Sequence, residues 1–195
     1  MTEANQRIGQ LIRAVASAYV DHPHALQLAC QESPGFCYWR MQGDERDEAQ
    51  LIGRAGDHVD ALALLVMGFG KAVREVHTFR LITTGRPQTR DRRGKDVLSY
   101  DPEPDRLLLV RIIEALGLHP QPSVEWTNGD GPRVSLTYVL RLLLPPKALA
   151  RLCVPPREQP NLKKAPISYM RAIEDIFQAI AAKAGVRYEL EEVEV

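Results

Sequence analysis

Ile52-Gly53-Arg54-Ala55-Gly56 sets two glycines three positions apart, between two apolar helical patterns. Glycine lets the backbone turn without a Cβ penalty and lets another backbone come close. Residues 47–52 read as a short helix. A longer one follows from about Asp57 to Glu75, with Asp57 placed as its N-cap. The start of a helix presents unpaired N–H groups and positive partial charge, which suit a phosphate. Arg54 adds a fixed charge and a planar fork for phosphate oxygens. Ile52, Val59 and Leu62 supply an apolar wall beside the loop, on which a base can lie. The spacing therefore predicts an anion-binding corner with an apolar flank.

The surrounding chain gives that corner a frame. Ile8, Leu11, Ile12, Val15 and Tyr19 recur at helical spacing, and Pro23 ends that helix. Leu26, Leu28 and Cys30 alternate as a strand, Ser33-Pro34-Gly35 is a turn, and Phe36 to Met41 reads as the return strand. Only one of Tyr38 and Trp39 can face outward, because neighbours on a strand point to opposite faces. His77 to Thr83 alternates again. The order is α-β-β-α-α-β. The second half repeats it. Leu109, Ile112, Ile113 and Leu116 mark a helix, and Val124 and Trp126 a strand. Asn128-Gly129-Asp130-Gly131 is a turn, and Val134, Leu136, Tyr138 and Leu140 alternate. A turn of helix at 147–152, a long helix through Met170 and Phe177 stopped by Gly185, and a last strand at 186–190 complete the order. His22-Pro23 recurs as His119-Pro120 after the first helix of each half.

Ile52-Gly53-Arg54-Ala55-Gly56 followed by an apolar helix resembles the I-G-x-x-G core of KH domains. The α-β-β-α-α-β order is similar to the type II form of that fold. Residues 6–84, including Val20-Asp21-His22-Pro23, resemble the small bacterial single-KH RNA-binding proteins. The resemblance implies binding of single-stranded RNA, the loop clamping the backbone of about four nucleotides. It places that clamp at Gly53, Arg54, Ala55 and Gly56. Asp57, directly after the loop, and Asp44, Glu45, Asp47 and Glu48, shortly before it, would oppose phosphate. In the second half the corresponding place holds Cys153-Val154-Pro155-Pro156, then Arg157 and Lys163-Lys164. Proline has no N–H to donate, so this copy is expected to be degenerate.

The expected organisation is an α/β (α+β) chain of tandem type II KH-like domains, 1–84 and 105–195, joined by a linker at 85–104. The linker is basic first, with Arg86, Arg90, Arg92, Arg93 and Lys95 against Asp91 and Asp96, and acidic after. Such a segment adds salt-sensitive affinity for RNA. Overall the chain balances 25 basic against 25 acidic residues, which excludes a uniformly basic coat and leaves room for a local site. Its 45% apolar and 26% charged residues are globular values. No apolar run reaches the roughly 20 residues needed to span a bilayer, and no secretory leader pattern stands at the N-terminus. Three cysteines are too few for a disulfide framework and fit a cytoplasmic protein.

No catalytic, metal or cofactor motif is expected. Gly68-Phe69-Gly70-Lys71 fails as a P-loop, since Leu65 and Ala72 stand where glycine and Ser/Thr are required. The histidines and cysteines lack zinc-site spacing. The function expected is non-catalytic RNA binding. The alternative is a protein-interaction or homodimerisation module on the same fold.

Overall fold

The computed structural model describes residues 1–84, 100–118, 123–128, 137–156 and 167–194. The expected linker residues Arg86, Arg90, Arg92, Arg93 and Lys95, the second turn and the Lys163-Lys164 pair lie outside them. The protein is a mixed α+β chain. Its first half runs α1 (Glu3–Tyr19), β1 (Gln27–Ser33), β2 (Phe36–Gln42), α2 (Glu48–Ile52), α3 (Asp57–Ala72) and β3 (Val76–Ile82). Its second runs α4 (Glu103–Ala115), β4 (Ser123–Asn128), β5 (Thr137–Leu144), α5 (Pro146–Cys153), α6 (Tyr169–Ala184) and β6 (Arg187–Glu194).

Each half makes a three-stranded sheet of the same design. β1 pairs antiparallel with β2, and β2 parallel with β3; β4, β5 and β6 repeat both senses. The hairpin needs only a tight turn, whereas the parallel return strand needs a crossover. That crossover is the pair α2–α3 in the first half and α5–α6 in the second. Strand alternation then fixes the faces. On β2, Cys37, Trp39 and Met41 are buried, and Phe36 and Arg40 are exposed. Trp39 faces inward, so Tyr38 is the outward member of that pair.

The helices bury their apolar stripes between the sheets. In α1, where Thr2 Oγ1 accepts from the Asn5 N–H at 3.2 Å, Ile8, Leu11, Ile12, Val15 and Tyr19 are all buried. α3 is different, because Ala61 to Val66 are buried consecutively rather than as a stripe. A helix apolar all round is one covered on more than one side. α3 packs on the first sheet and against α6, and its Gly68 lies close to Leu116 and Tyr169 of the second half. The Lys183 ammonium on α6 also donates to the Ser17 carbonyl on α1, at 3.3 Å. One hydrophobic cluster contains buried side chains from both halves.

Two local expectations are corrected. Asp57 is not the N-cap of α3. Gly56, with φ of 93°, holds that place, and Asp57 is the first helical residue. The left-handed glycine redirects the chain into the helix, so no capping side chain is required. Leu62 is 2% exposed and belongs to the core. It lies where α3 passes under its neighbours, so it offers no surface beside the loop.

Candidate nucleic-acid interface

The loop between α2 and α3 is built from positive-φ backbone. Gly53, Ala55 and Gly56 have φ of 76°, 54° and 93°. The Gly53 N–H closes α2 by donating to Ala49 O at 3.0 Å, and the Gly56 N–H donates to Gly53 O at 3.4 Å. The N–H groups of Arg54 and Ala55 make no backbone hydrogen bond among the described residues. Both residues are exposed. A Cβ added at Gly53 would meet the His58 backbone nitrogen at 2.7 Å and the His58 ring at 2.5 Å, so this position requires glycine.

His58 holds the corner in shape. Its Nδ1 lies 2.6 Å from the Gln50 carbonyl. A carbonyl only accepts, so the ring proton sits on Nδ1 and ties the start of α3 to the last turn of α2. The Tyr19 ring meets the His58 ring edge-on, with centroids 5.5 Å apart, which anchors the corner to α1. Burial pushes the Tyr19 hydroxyl well above its ordinary pKa, so it stays neutral.

Ile52 and Val59 flank the loop half-buried. With Arg54 they are the part of the expected wall that remains at the surface. The acids before the loop, expected to oppose phosphate, are largely engaged elsewhere. Asp44 caps a short turn and pairs with Arg46 at 2.8 Å, whose guanidinium holds its carboxyl well below the usual range. Asp47, 1% exposed, accepts from the His22 N–H at 2.7 Å and lies 3.1 Å from the His22 ring. Glu48 is buried and accepts from the Thr84 N–H. That last contact brings the end of β3 against α2. Asp57 and Asp60 lie in the first turn of α3.

A second polar centre joins α1 to the first sheet. The Asn5 side-chain NH2 shares its two protons among Glu32 at 2.9 Å, Cys37 Sγ at 3.1 Å and Glu75 at 3.1 Å. The Trp39 indole N–H donates to His77 Nδ1 at 3.3 Å. His77 Nε2 therefore carries the proton and donates to Glu75 at 3.1 Å. The His77 and Asn5 hydrogen bonds hold the Glu75 carboxyl below its ordinary value. Burial pushes the Cys37 thiol up to about 12, so it is not a thiolate at neutral pH. Cys30, Glu32 and Cys37 place donor atoms within 4.8 Å of one another, as do Cys37, Glu75 and His77. Sequence spacing gave no sign of this convergence, because it joins residues far apart along the chain. The indole proton on Nδ1 and the Asn5 amide among the acceptors make the group a hydrogen-bond network, in which the buried Asn5 Oδ1 has no partner among the described residues.

In the second half, α5 is followed by Val154, Pro155 and Pro156, and α6 is capped by the Ser168 hydroxyl, which accepts from the Arg171 N–H at 3.1 Å. Pro155 and Pro156 have no N–H to offer.

Among the described residues, no helix is long and apolar enough to cross a membrane. No family model, no curated protein and no solved structure matches this chain.

Proposed function

We propose that this protein binds single-stranded RNA without catalysing a reaction, through a KH-type loop at Gly53–Gly56. The observation that carries the reading is that the N–H groups of the exposed residues Arg54 and Ala55 make no backbone hydrogen bond among the described residues. They sit beside the Arg54 guanidinium at the head of the 16-residue α3. Oriented N–H groups and a helix start attract phosphate, and the arginine strengthens the attraction. Ile52 and Val59 would carry the bases. The repeated element order and the repeated sheet design support tandem KH-like copies at 1–84 and 105–195, joined through 85–104. The second copy lacks the glycine loop and acts as a packing partner for the first.

The test is fluorescence anisotropy with a labelled pool of short single-stranded RNAs at two salt concentrations. Gly53 is a poor site for mutation, since any side chain collides with His58. Arg54 and Ala55 are exposed, and Ala55 has a conformation that aspartate tolerates. Arg54→Asp/Ala55→Asp should therefore fold and lose binding by at least about tenfold. Wild type without salt-sensitive binding would sink the RNA reading and favour the interaction module. Equal binding by both proteins would move the site away from the loop.

A further inference from the structure

The outward face of the first sheet carries a charge pattern that the loop does not explain. Arg40 on β2 and Arg80 on β3 stand directly opposite each other in the parallel register. Both are exposed. Neither has an ion pair or hydrogen bond among the described residues. Like charges directly opposite across strands are destabilising, and no carboxylate among the described residues offsets this pair. Every outward position of the three strands is uncharged apart from these two arginines. The one acid on β1, Glu32, alternates to the other face and bonds to Asn5 of α1. An acid-free face is conspicuous in a chain with as many acids as bases.

On β2 and β3 the same face also carries aromatic and apolar residues, beside the uncharged Gln42 and Thr78. Tyr38 lies two residues before Arg40, hence on the same side and about 6.6 Å along the strand. Phe36 lies two residues further on. Phe36, Val76 and Ile82 are 37%, 59% and 40% exposed. Nothing among the described residues covers them. Aromatic rings beside unpaired guanidinium groups suit a chain that alternates flat bases with phosphates. An acidic peptide would use the arginines and leave the rings without a role.

The Arg40–Arg80 rank also lies toward the loop end of the sheet. Gly43 follows β2 against Leu51 of α2, and Thr84, just past β3, donates to Glu48 of α2. α2 leads directly into Gly53.

We propose that this sheet face is a second contact surface for the same single-stranded RNA. Arg40 and Arg80 bind phosphate there, and Tyr38, with Phe36 beside it, stacks on bases. The inference rests on the RNA-binding reading above and extends the contact beyond the loop.

The test uses the full chain, a fluorescein-labelled single-stranded RNA twelve nucleotides long, and anisotropy across a salt series. Arg40→Gln/Arg80→Gln removes exposed charges without touching the core, and circular dichroism checks its fold. The double variant should weaken binding and lower the slope of log affinity against log salt by about 1.4, since each lost phosphate contact on a single strand removes about 0.7. Tyr38→Ala should weaken binding about tenfold with the slope unchanged. Loss on Arg54→Asp/Ala55→Asp with full binding by the sheet variants would overturn this inference and leave the loop reading standing. Loss on the sheet variants alone would do the reverse. Wild type that ignores the RNA would overturn both. Displacement of the RNA by poly-glutamate at equal charge concentration would overturn the stacking role.

Discussion

The two halves of this chain fold one element order into one sheet design, then diverge where each could touch a ligand. At the corner between its crossover helices, the first half has left-handed glycines, N–H groups with no backbone hydrogen bond among the described residues, and an exposed arginine. At the matching place the second half has Val154, Pro155 and Pro156. The sheets diverge in the same sense. In the first, the register sets Arg40 opposite Arg80; in the second, it sets Arg141 opposite Glu191, with Glu189 two residues away. Topology is therefore shared, and the positive-φ glycine corner and the opposed arginines lie in the first half. The second copy contributes α6, which closes over α3.

The largest effects should come from the shared core. Trp39→Ala and Phe177→Ala, one in each half and both fully buried, should each cost about 3–5 kcal/mol. Because both belong to one hydrophobic cluster, each should lower a single thermal transition, seen alike by circular dichroism and tryptophan fluorescence. Two transitions that shift separately would mean that the halves are energetically independent.

Next in size is the functional asymmetry. Arg54→Asp/Ala55→Asp should weaken RNA binding by at least about tenfold, while Lys163→Glu/Lys164→Glu should change it by less than about threefold. Equal losses would give the second half a working share in the site.

A smaller effect concerns acid. Glu75 in the first half is held below its ordinary value of 4.5 by His77 and Asn5. The fold then binds fewer protons at this group than the unfolded chain does. Glu75 contributes stability above pH 4.5 and loses it as pH falls toward its value in the fold. The thermal midpoint should drop across that window, and less steeply in Glu75→Gln. An identical drop in both proteins would remove Glu75 as a cause.

The smallest effect is one of rate. Cys153 is exposed and Cys37 is 1% exposed with a neutral thiol. Iodoacetamide should label Cys153 first and Cys37 last, as read by peptide mass spectrometry. Early labelling of Cys37 would show that the first hairpin opens readily.

Much of this frame was legible from periodicity. The hairpin of β1 and β2, the corner at Gly53–Gly56 and the repeated order follow from local patterns. Local pattern reaches only as far as local physics. Asp57 has the residue type of an N-cap, yet a left-handed Gly56 already turns the chain, and sequence does not display φ. Leu62 shares a helical face with Val59, but it is buried, on a helix that packs against α6 from the other half. The Asn5–Glu32–Cys37–Glu75–His77 network and the Asp47–His22 pair join residues that only tertiary folding brings together. The acids before the loop looked hostile to phosphate because their partners, His22 and Thr84, lie elsewhere in the chain.

The most direct measurement is a titration of the 15N-labelled full chain with short single-stranded RNA, followed by amide chemical shifts. The account predicts that Arg54, Ala55 and their neighbours in Ile52–Val59 move first and furthest. Tyr38, Arg40 and Arg80 should follow, and the amides of α5 and α6 should stay in place. Shifts centred on α5 and α6, or none at any residue with excess RNA, would contradict it.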